Sequence, residues 1–113
     1  MNIAERSMNK YHAKRTEYKG QMFMSKREAN FACVLDTMRK AKNPSEKVKD
    51  IEYQPKYPII INGQKICTYI GDFLVLYADG KRVLYDSKGF LTPVYRLKKK
   101  LLKATLGIEI TEV

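Results

Sequence analysis

Residues 69–88 contain two apolar runs rich in Leu, Val, Tyr and Phe, separated by Ala-Asp-Gly at positions 78–80. Runs of this composition predict β-strands, and an Asp-Gly between them is typical of a hairpin turn. A two-residue turn would place Asp72 opposite Ser87. A three-residue loop would instead place Asp72 opposite Asp86, on one face of the sheet. The sequence permits both registers.

Charged residues within these runs favour the three-residue loop. Asp72, Asp86 and Lys88 stand among apolar residues, and charged groups of this kind are expensive to bury. The cost is tolerable if the two carboxylates hold a metal ion together, which requires both on one face. Gly80 also suits the left-handed position of a type I turn followed by a bulge. We therefore predict the three-residue loop.

A helix is predicted from Ser25 to about Lys42. Ser25 is a good N-cap with Glu28 three residues later, the pattern of a capping box, and Pro44 lies beyond the end. Glu28 also borders the apolar face, so its carboxylate either caps the helix or belongs to a site. The predicted buried face, at helical spacing, consists of Phe31, Val34, Leu35 and Met38.

The middle of the chain predicts strands. Residues 51–58 alternate apolar and polar side chains but include two prolines, which indicates an edge strand, a bulge or a strand that leaves the sheet early. Residues 59–61 continue extended, Asn62-Gly63 predicts a turn, and residues 65–69 return as a strand. Gly71 indicates a bulge or a close approach of the backbone.

A second helix is predicted between Thr92, its cap, and Gly107, its C-terminal stop. Residues 108–113 then predict a last strand, which a right-handed crossover places parallel in the same sheet. The predicted fold class is α/β: a mixed β-sheet flanked by helices, in one domain of residues 1–113 with residues 1–24 as a basic N-terminal arm. The predicted inward stripe of this helix is Val94, Leu97, Leu101 and Thr105, with Tyr95 and Leu102 beside it.

The chain carries a formal charge of +10, which favours a polyanionic partner such as nucleic acid. No apolar run approaches the roughly 20 residues of a membrane span, and the N-terminus has no signal-peptide core. Cys33 and Cys67 lack metal-ligand spacing and are expected to be reduced core thiols. His12 is the only histidine, which disfavours a histidine-based zinc site or a Ser-His-Asp triad. A cytoplasmic protein is expected.

The charged cluster suits phosphodiester hydrolysis. Mg²⁺ prefers oxygen ligands, which Asp72, Asp86 and the backbone carbonyl of Ser87 could supply. Lys88 lies two residues after Asp86, on the same face, where it could orient a water or stabilise developing charge. Glu28 could approach from the helix to bind a second metal or a metal-bound water. The alternative is that each aspartate merely ends a strand at the solvent edge.

The chain resembles the PD-(D/E)XK nuclease superfamily, with Asp72 and Asp86-Ser87-Lys88 as the two halves of its signature and Glu28 on the preceding helix. Gly71 stands in place of the proline that names the superfamily, and Asp86 stands where Glu is commoner. More narrowly, the chain is similar to small phage and prophage proteins of that superfamily through an ordered series of motifs at residues 25–29, 53–57, 69–73, 79–81, 86–89, 92–102 and 107–110.

The resemblance implies a restriction-endonuclease-like core in the order α-β-β-β-α-β and Mg²⁺-dependent DNA cleavage, with Mn²⁺ able to substitute. It implies that Glu28, Asp72, Asp86 and Lys88 form the active site. Gln54 matches a motif position, although it could simply bond to backbone. The basic run of the second helix could be a solvated face, but phosphate contact is favoured; its residues are Arg96, Lys98, Lys99 and Lys100.

The sequence therefore predicts a phage-type DNA endonuclease that acts in the cytoplasm of the bacterial host. Branched DNA, such as the four-way junctions cut by resolvases of the same superfamily, is the substrate to test first, and a homodimer could supply two cuts. Two alternatives stay open. One is a non-catalytic DNA-binding module, and the other is a small basic adaptor of a phage DNA-processing complex.

Overall fold

The computed structural model describes residues 14–88 and 91–113. This part of the chain is mixed α/β, with two helices and eight strands, most of them short. In chain order they are β1 Thr16–Tyr18, β2 Gln21–Phe23, α1 Lys26–Met38, β3 Val48–Tyr53, β4 Lys56–Ile61, β5 Gln64–Ile70, β6 Phe73–Tyr77, β7 Arg82–Asp86, α2 Pro93–Leu106 and β8 Ile110–Glu112.

A four-stranded mixed sheet in the order β3-β6-β7-β8 forms the centre of the fold. Its first three strands are antiparallel neighbours, and β8 pairs with β7 in parallel after the chain crosses over through α2. The predicted parallel last strand is thereby confirmed. Strands β4 and β5 form a separate two-stranded sheet, and β1 and β2 form another.

The β6–β7 hairpin has the predicted three-residue loop. Phe73 pairs with Tyr85 and Leu74 with Leu84, and the N–H of Tyr77 donates to the carbonyl of Lys81 across the loop at 2.9 Å. Gly80 has a φ of 92°, the left-handed region that a residue with a side chain seldom adopts. This register places the residues just beyond the last pair, at positions 72 and 86, at the same end of the sheet.

Residues 51–58 do not form one continuous strand, and the expectation from the two prolines is confirmed: β3 is an edge strand, and the chain turns at Gln54 and Pro55 and leaves the central sheet early. Gln54 has a φ of 53°, and Pro55 has no N–H to extend the ladder. The chain then forms the β4–β5 hairpin around the predicted Asn62-Gly63 turn. Both ends of this hairpin meet at one point, where the N–H of Gly71 donates to the carbonyl of Pro55 at 3.0 Å.

Both helices begin at the predicted caps. The Ser25 hydroxyl accepts from the N–H of Glu28, and the Thr92 hydroxyl accepts from the N–H of Tyr95, both at 3.1 Å. Gly107, with a φ of 68°, ends α2 as predicted. Helix α1 stops at Met38 rather than Lys42, because its last amides bond three residues back and tighten the turn.

The central sheet separates two cores. On the α1 side, Phe73 and Val75 pack with Phe23, Ala32 and Leu35. On the other side, α2 and the β4–β5 hairpin pack against the sheet. The buried residues of this second core are Ile59, Tyr69, Leu84, Tyr95, Leu102 and Ile110. The sheet is therefore covered on both faces, which explains why its central strands are almost continuously apolar.

Three predicted core residues are exposed instead. Val34 on α1, and Val94 and Leu97 on α2, are each more than half exposed. The buried stripe of α1 is made by smaller residues, Ala29 and Ala32, with Leu35. Helix α2 turns Tyr95 and Leu102 inward. The predicted face of α1 is otherwise confirmed, because Leu35 is buried and Phe31 and Met38 pack against the core, whereas α2 is rotated relative to the prediction.

Residues 16–23 of the predicted arm form a hairpin that turns at Lys19 and Gly20, and its Phe23 is buried in the core on the α1 side. His12 lies outside the described residues. Both cysteines are free, as expected, but Cys33 is exposed and Cys67 is only half-buried, so the expectation of core thiols is wrong. Within the described ranges, neither helix is long and apolar enough to cross a membrane.

Gly71 is buried where three side chains meet, so we expect Gly71→Ala to destabilise the protein. An added Cβ would lie 2.7 Å from Leu84 Cδ1 and 3.5 Å from Pro55 Cγ. Overpacking of this kind costs about 1–3 kcal/mol. The free energy of unfolding from urea titration measures this. Ala78→Ser, at an exposed loop position, is the control, and equal stabilities of the two variants would contradict the prediction.

Candidate active site

The four predicted catalytic side chains converge at one end of the central sheet. Asp72 immediately precedes β6, Asp86 ends β7, and Lys88 follows two residues later. Glu28 lies in the first turn of α1 and interacts electrostatically with the other three. The predicted site requires Asp72 and Asp86 on one face of the sheet with Glu28 close to both, and this requirement is met. The catalytic role of these residues stays a prediction.

The Asp86 carboxylate is fully buried. Its Oδ2 accepts a hydrogen bond from the hydroxyl of Tyr69. Lys88 Nζ lies 3.2 Å from Oδ1, yet Oδ1 has no aligned hydrogen-bond donor. The contact with Lys88 is therefore ionic, and one lone-pair-bearing oxygen of a buried carboxylate is left without a directional partner.

Asp72 is held by backbone and lies beside a second carboxylate. Its Oδ2 accepts from the N–H of Ser87 at 2.7 Å. Burial, hydrogen bonding to Asp86 and the negative charges of Asp86 and Glu28 raise the pKa of Asp72 to about 8, and the Ser87 N–H opposes this only in part. Two carboxylates this close resist simultaneous ionisation unless a cation joins them.

Glu28 serves both as a cap and as a neighbour of the site. Its N–H bonds to Ser25, while its Oε2 accepts from the N–H of Met24 at 3.3 Å. Burial and the charge of Asp86 raise the pKa of Glu28, while the Met24 N–H and Lys88 lower it. The hydrogen bond to Met24 holds the Glu28 carboxyl group close enough to Asp86 for the two charges to interact. A role at the helix start and a role in the site are therefore compatible.

Two tyrosines that the sequence analysis did not assign to the site support its charged groups. Tyr69, buried on β5, donates to Asp86. Tyr95, buried on α2, places its ring 4.6 Å from Lys88 Nζ, a cation–π contact, and its hydroxyl donates to Glu112 Oε2 at 2.7 Å. Burial and the nearby carboxylates raise the pKa of both phenols, so they remain donors.

The predicted DNA-binding residues occupy three different places. Gln54 is exposed at the corner between β3 and β4, and its own N–H donates to the carbonyl of Asp72 at 3.0 Å. Lys98 is half-buried and points toward β5, with Nζ 3.2 Å from the carbonyl of Thr68. Arg96, Lys99 and Lys100 line a groove between α2 and β8.

The groove between α2 and β8 is only partly neutralised. Lys99 pairs with Glu112 at 3.0 Å and Lys103 pairs with Glu109 at 2.8 Å. Arg96 and Lys100 have no carboxylate partner within residues 14–88 and 91–113. Of the predicted DNA-binding residues on this face, Arg96 and Lys100 are therefore the two most available to bind an anion.

The donor set fits a hard divalent cation. No group of three or more His, Cys, Asp or Glu side chains in the described residues is arranged to hold a metal. Mg²⁺, however, is commonly bound through only one or two carboxylates, with waters and phosphate completing its shell. The unpartnered Oδ1 of Asp86 and the raised pKa of Asp72 indicate two carboxylates that a cation would stabilise.

Ser87 contributes its N–H to Asp72, while its buried hydroxyl has no partner among the described residues. Its predicted role, a carbonyl ligand, stays a prediction, as does a ligand role for Glu28.

Comparison with known proteins identifies a family. Residues 8–109 match the model of a family described as "Protein of unknown function (DUF1064)". No curated protein and no solved structure matches the chain.

The raised pKa of Asp72 predicts that the stability of the protein in EDTA depends on pH. The folded protein favours the protonated carboxyl, with a pKa of about 8 against an ordinary 3.8. The contribution of this carboxyl group to the free energy of unfolding is therefore complete below about pH 4 and is lost as pH rises toward about 8. We expect Tm to fall over this window by at least about 4 °C, the shift that about 1 kcal/mol produces in a small domain.

Calorimetry across that range measures the effect, with Asp72→Asn as the comparison because it cannot ionise and should lack this step. Added Mg²⁺ should raise Tm more at pH 8 than at pH 5, because binding requires the ionised carboxylates. An identical pH profile for the two proteins would contradict the prediction.

Proposed function

We propose that this chain, which belongs to the DUF1064 family, is a metal-dependent endonuclease that hydrolyses phosphodiester bonds in DNA. The observation that carries the proposal is the convergence of Asp72 and Asp86 from adjacent antiparallel strands, with Lys88 3.2 Å from Asp86 and Glu28 beside them. Asp86 is fully buried, and a buried carboxylate with a second carboxylate beside it is costly unless these groups serve a site.

The chain order supports the same proposal. Apart from the β1–β2 and β4–β5 hairpins, the elements follow the order α1, β3, β6, β7, α2, β8. This agrees with the α-β-β-β-α-β order that the resemblance to PD-(D/E)XK nucleases implies. We infer a restriction-endonuclease-like core in which β6 and β7 present the signature residues.

In this proposal Asp72 and Asp86 hold Mg²⁺, or Mn²⁺ in its place, with the Ser87 carbonyl and Glu28 as further candidate ligands. When bound, such an ion lowers the pKa of water and polarises phosphoryl oxygen. Tyr69 fixes Asp86 through its hydrogen bond to Oδ2, which leaves Oδ1 with only the ionic contact to Lys88 and no aligned donor. The Ser87 N–H fixes Asp72 in the same way.

Lys88 is positioned for charge stabilisation. The Tyr95 ring below it and Asp86 beside it limit where its ammonium can lie. From there it can donate to a phosphate oxygen as negative charge develops, or orient the attacking water. Glu28, whose pKa is raised, can accept a proton from that water more readily than an ordinary surface glutamate, because its conjugate acid is more stable.

The net charge of +10 and the cations of α2 suit DNA as the substrate. Phosphate contacts of this kind position DNA without reading its sequence, which supports recognition by DNA structure, with branched DNA the first candidate. Paired cuts in such a substrate would require a homodimer, acting in the bacterial host cytoplasm if the protein is of phage origin.

One observation also suits the alternative of a non-catalytic DNA-binding module or adaptor. The Lys88–Asp86 ion pair neutralises part of the acidic cluster without a metal. A module of this kind would bind DNA equally well with or without Mg²⁺ and would never cut it.

A cleavage assay distinguishes the two. Linear, nicked, flap and four-way DNA are incubated with Mg²⁺, Mn²⁺ or EDTA. We expect cutting with either metal and none in EDTA. Asp86→Asn and Asp72→Asn should each reduce the cutting rate by at least about 100-fold, beyond the 10–100-fold typical of an outer-shell partner, while DNA binding survives.

Asp50→Asn is the matched control, because Asp50 is an exposed aspartate on β3, away from the cluster. It should cut at the unmutated rate. Binding without cutting on all four substrates and with both metals would overturn the nuclease proposal and favour the module.

The salt dependence of binding tests the α2 surface. Each lost phosphate contact removes about 0.9 from the slope of log K against log salt, so Arg96→Ala with Lys100→Ala should flatten the slope by about 1.8. The control is Lys40→Ala with Lys42→Ala. These two exposed lysines follow the C-terminal end of α1, whereas Glu28 lies at its N-terminal end. Equal slopes for both double variants would remove this face of α2 from the DNA surface.

A further inference from the structure

A cleft between β5 and the first turns of α2 opens directly beside Lys88. Its volume is about 230 Å³, and Lys88, Lys98, Ile70 and Val94 line it together with the edges of Tyr69 and Tyr95. Because Lys88 also lies 3.2 Å from Asp86, this lysine connects the cleft to the carboxylate cluster. Among the described residues, no acidic side chain lines the cleft itself.

Lys98 supplies a cation without a counter-ion. It is half-buried, and its Nζ bonds only to the carbonyl of Thr68. Lys99 and Lys103, on the same helix, each pair with a glutamate, but Lys98 has no carboxylate partner in the part of the chain that the structure describes. An ammonium held in a cleft in this way is suited to an anionic ligand.

Two aliphatic side chains next to these lysines are unusually exposed. Ile70 is 51% exposed and Val94 is 62% exposed. They come from different elements, β5 and α2, yet line the same cleft. An apolar surface next to cations matches a nucleotide, whose sugar and base offer apolar faces beside a charged phosphate.

We propose that this cleft binds the nucleotide adjacent to the scissile phosphate. Lys98 contacts the phosphate next to the one at Lys88, and Ile70 and Val94 contact the sugar and base between them. This inference rests on the proposed nuclease function and deepens it, because it defines a subsite that neither the carboxylate cluster nor the groove at Arg96 and Lys100 provides.

The test is a scan of single uncharged phosphates. Four-way DNA carries one methylphosphonate at a time, and binding is measured with Ca²⁺ in place of Mg²⁺. We expect the unmutated protein to lose about tenfold in affinity at a phosphate that Lys98 contacts, within the range of a charge-assisted hydrogen bond. Lys98→Ala should lose affinity on unmodified DNA and show no further loss at that phosphate.

The same scan with Lys88→Ala locates the second phosphate, which should be the immediate neighbour of the first. Lys65→Ala, at an exposed lysine on β5 outside the cleft, is the control and should keep the full pattern of losses. If Lys98→Ala keeps that pattern too, or if the two lysines map to distant phosphates, the proposal is overturned.

A second arm tests the apolar contacts. 2-Aminopurine placed between the two mapped phosphates should change its fluorescence on binding, and Ile70→Ser or Val94→Ser should abolish that change. Ile66→Ser is the matched control, because Ile66 is 54% exposed on the same strand but outside the cleft. An unchanged signal in all three variants would contradict the subsite.

Failure of this inference is distinct from failure of the proposed function. The scan measures binding alone, so adjacent phosphates mapped in a protein that never cuts would contradict the nuclease but support a nucleotide-binding cleft. Cutting that is lost with Asp86→Asn but is indifferent to Lys98 and Ile70 would support the nuclease and overturn the subsite.

Discussion

The burial of one carboxylate organises this end of the molecule. Asp86 has no exposed surface, and a buried negative charge is tolerable only if other groups stabilise it. Tyr69 supplies a hydrogen bond and Lys88 supplies an opposite charge. Tyr69 comes from the β4–β5 hairpin and Lys88 contacts the Tyr95 ring of α2, so the groups around this one side chain connect the second sheet and the second helix to the central sheet.

A second constraint comes from the other face of the sheet. Glu28 begins α1, and its hydrogen bonds to Ser25 and Met24 are those of a helix start. The same carboxyl group lies close enough to Asp86 and Asp72 to influence their ionisation. The helix start and the acidic cluster are thus coupled, so a cation bound by the aspartates would also change the ionisation of Glu28 at the start of α1.

The sequence predicted what depends on local chemistry. Gly80 and the charges at positions 72 and 86 fixed one hairpin register, and Ser25, Thr92 and Gly107 fixed helix ends. Several contacts between distant segments could not be predicted from it. Val94 faces the cleft beside β5 instead of the core, and the roles of Tyr69 and Tyr95 depend on partners 17 residues away. The metal, the substrate and the reaction remain proposals.

The closed base of the β4–β5 hairpin has a consequence for how such proteins can diversify. The chain leaves the central sheet at Pro55 and returns at Gly71, and a backbone hydrogen bond joins these two residues. The hairpin tip around Asn62 is exposed. Insertions, deletions or exchanges at that tip would leave the position of Asp72 unaltered, so evolution or an engineer could remodel this outer surface while preserving the geometry at its root.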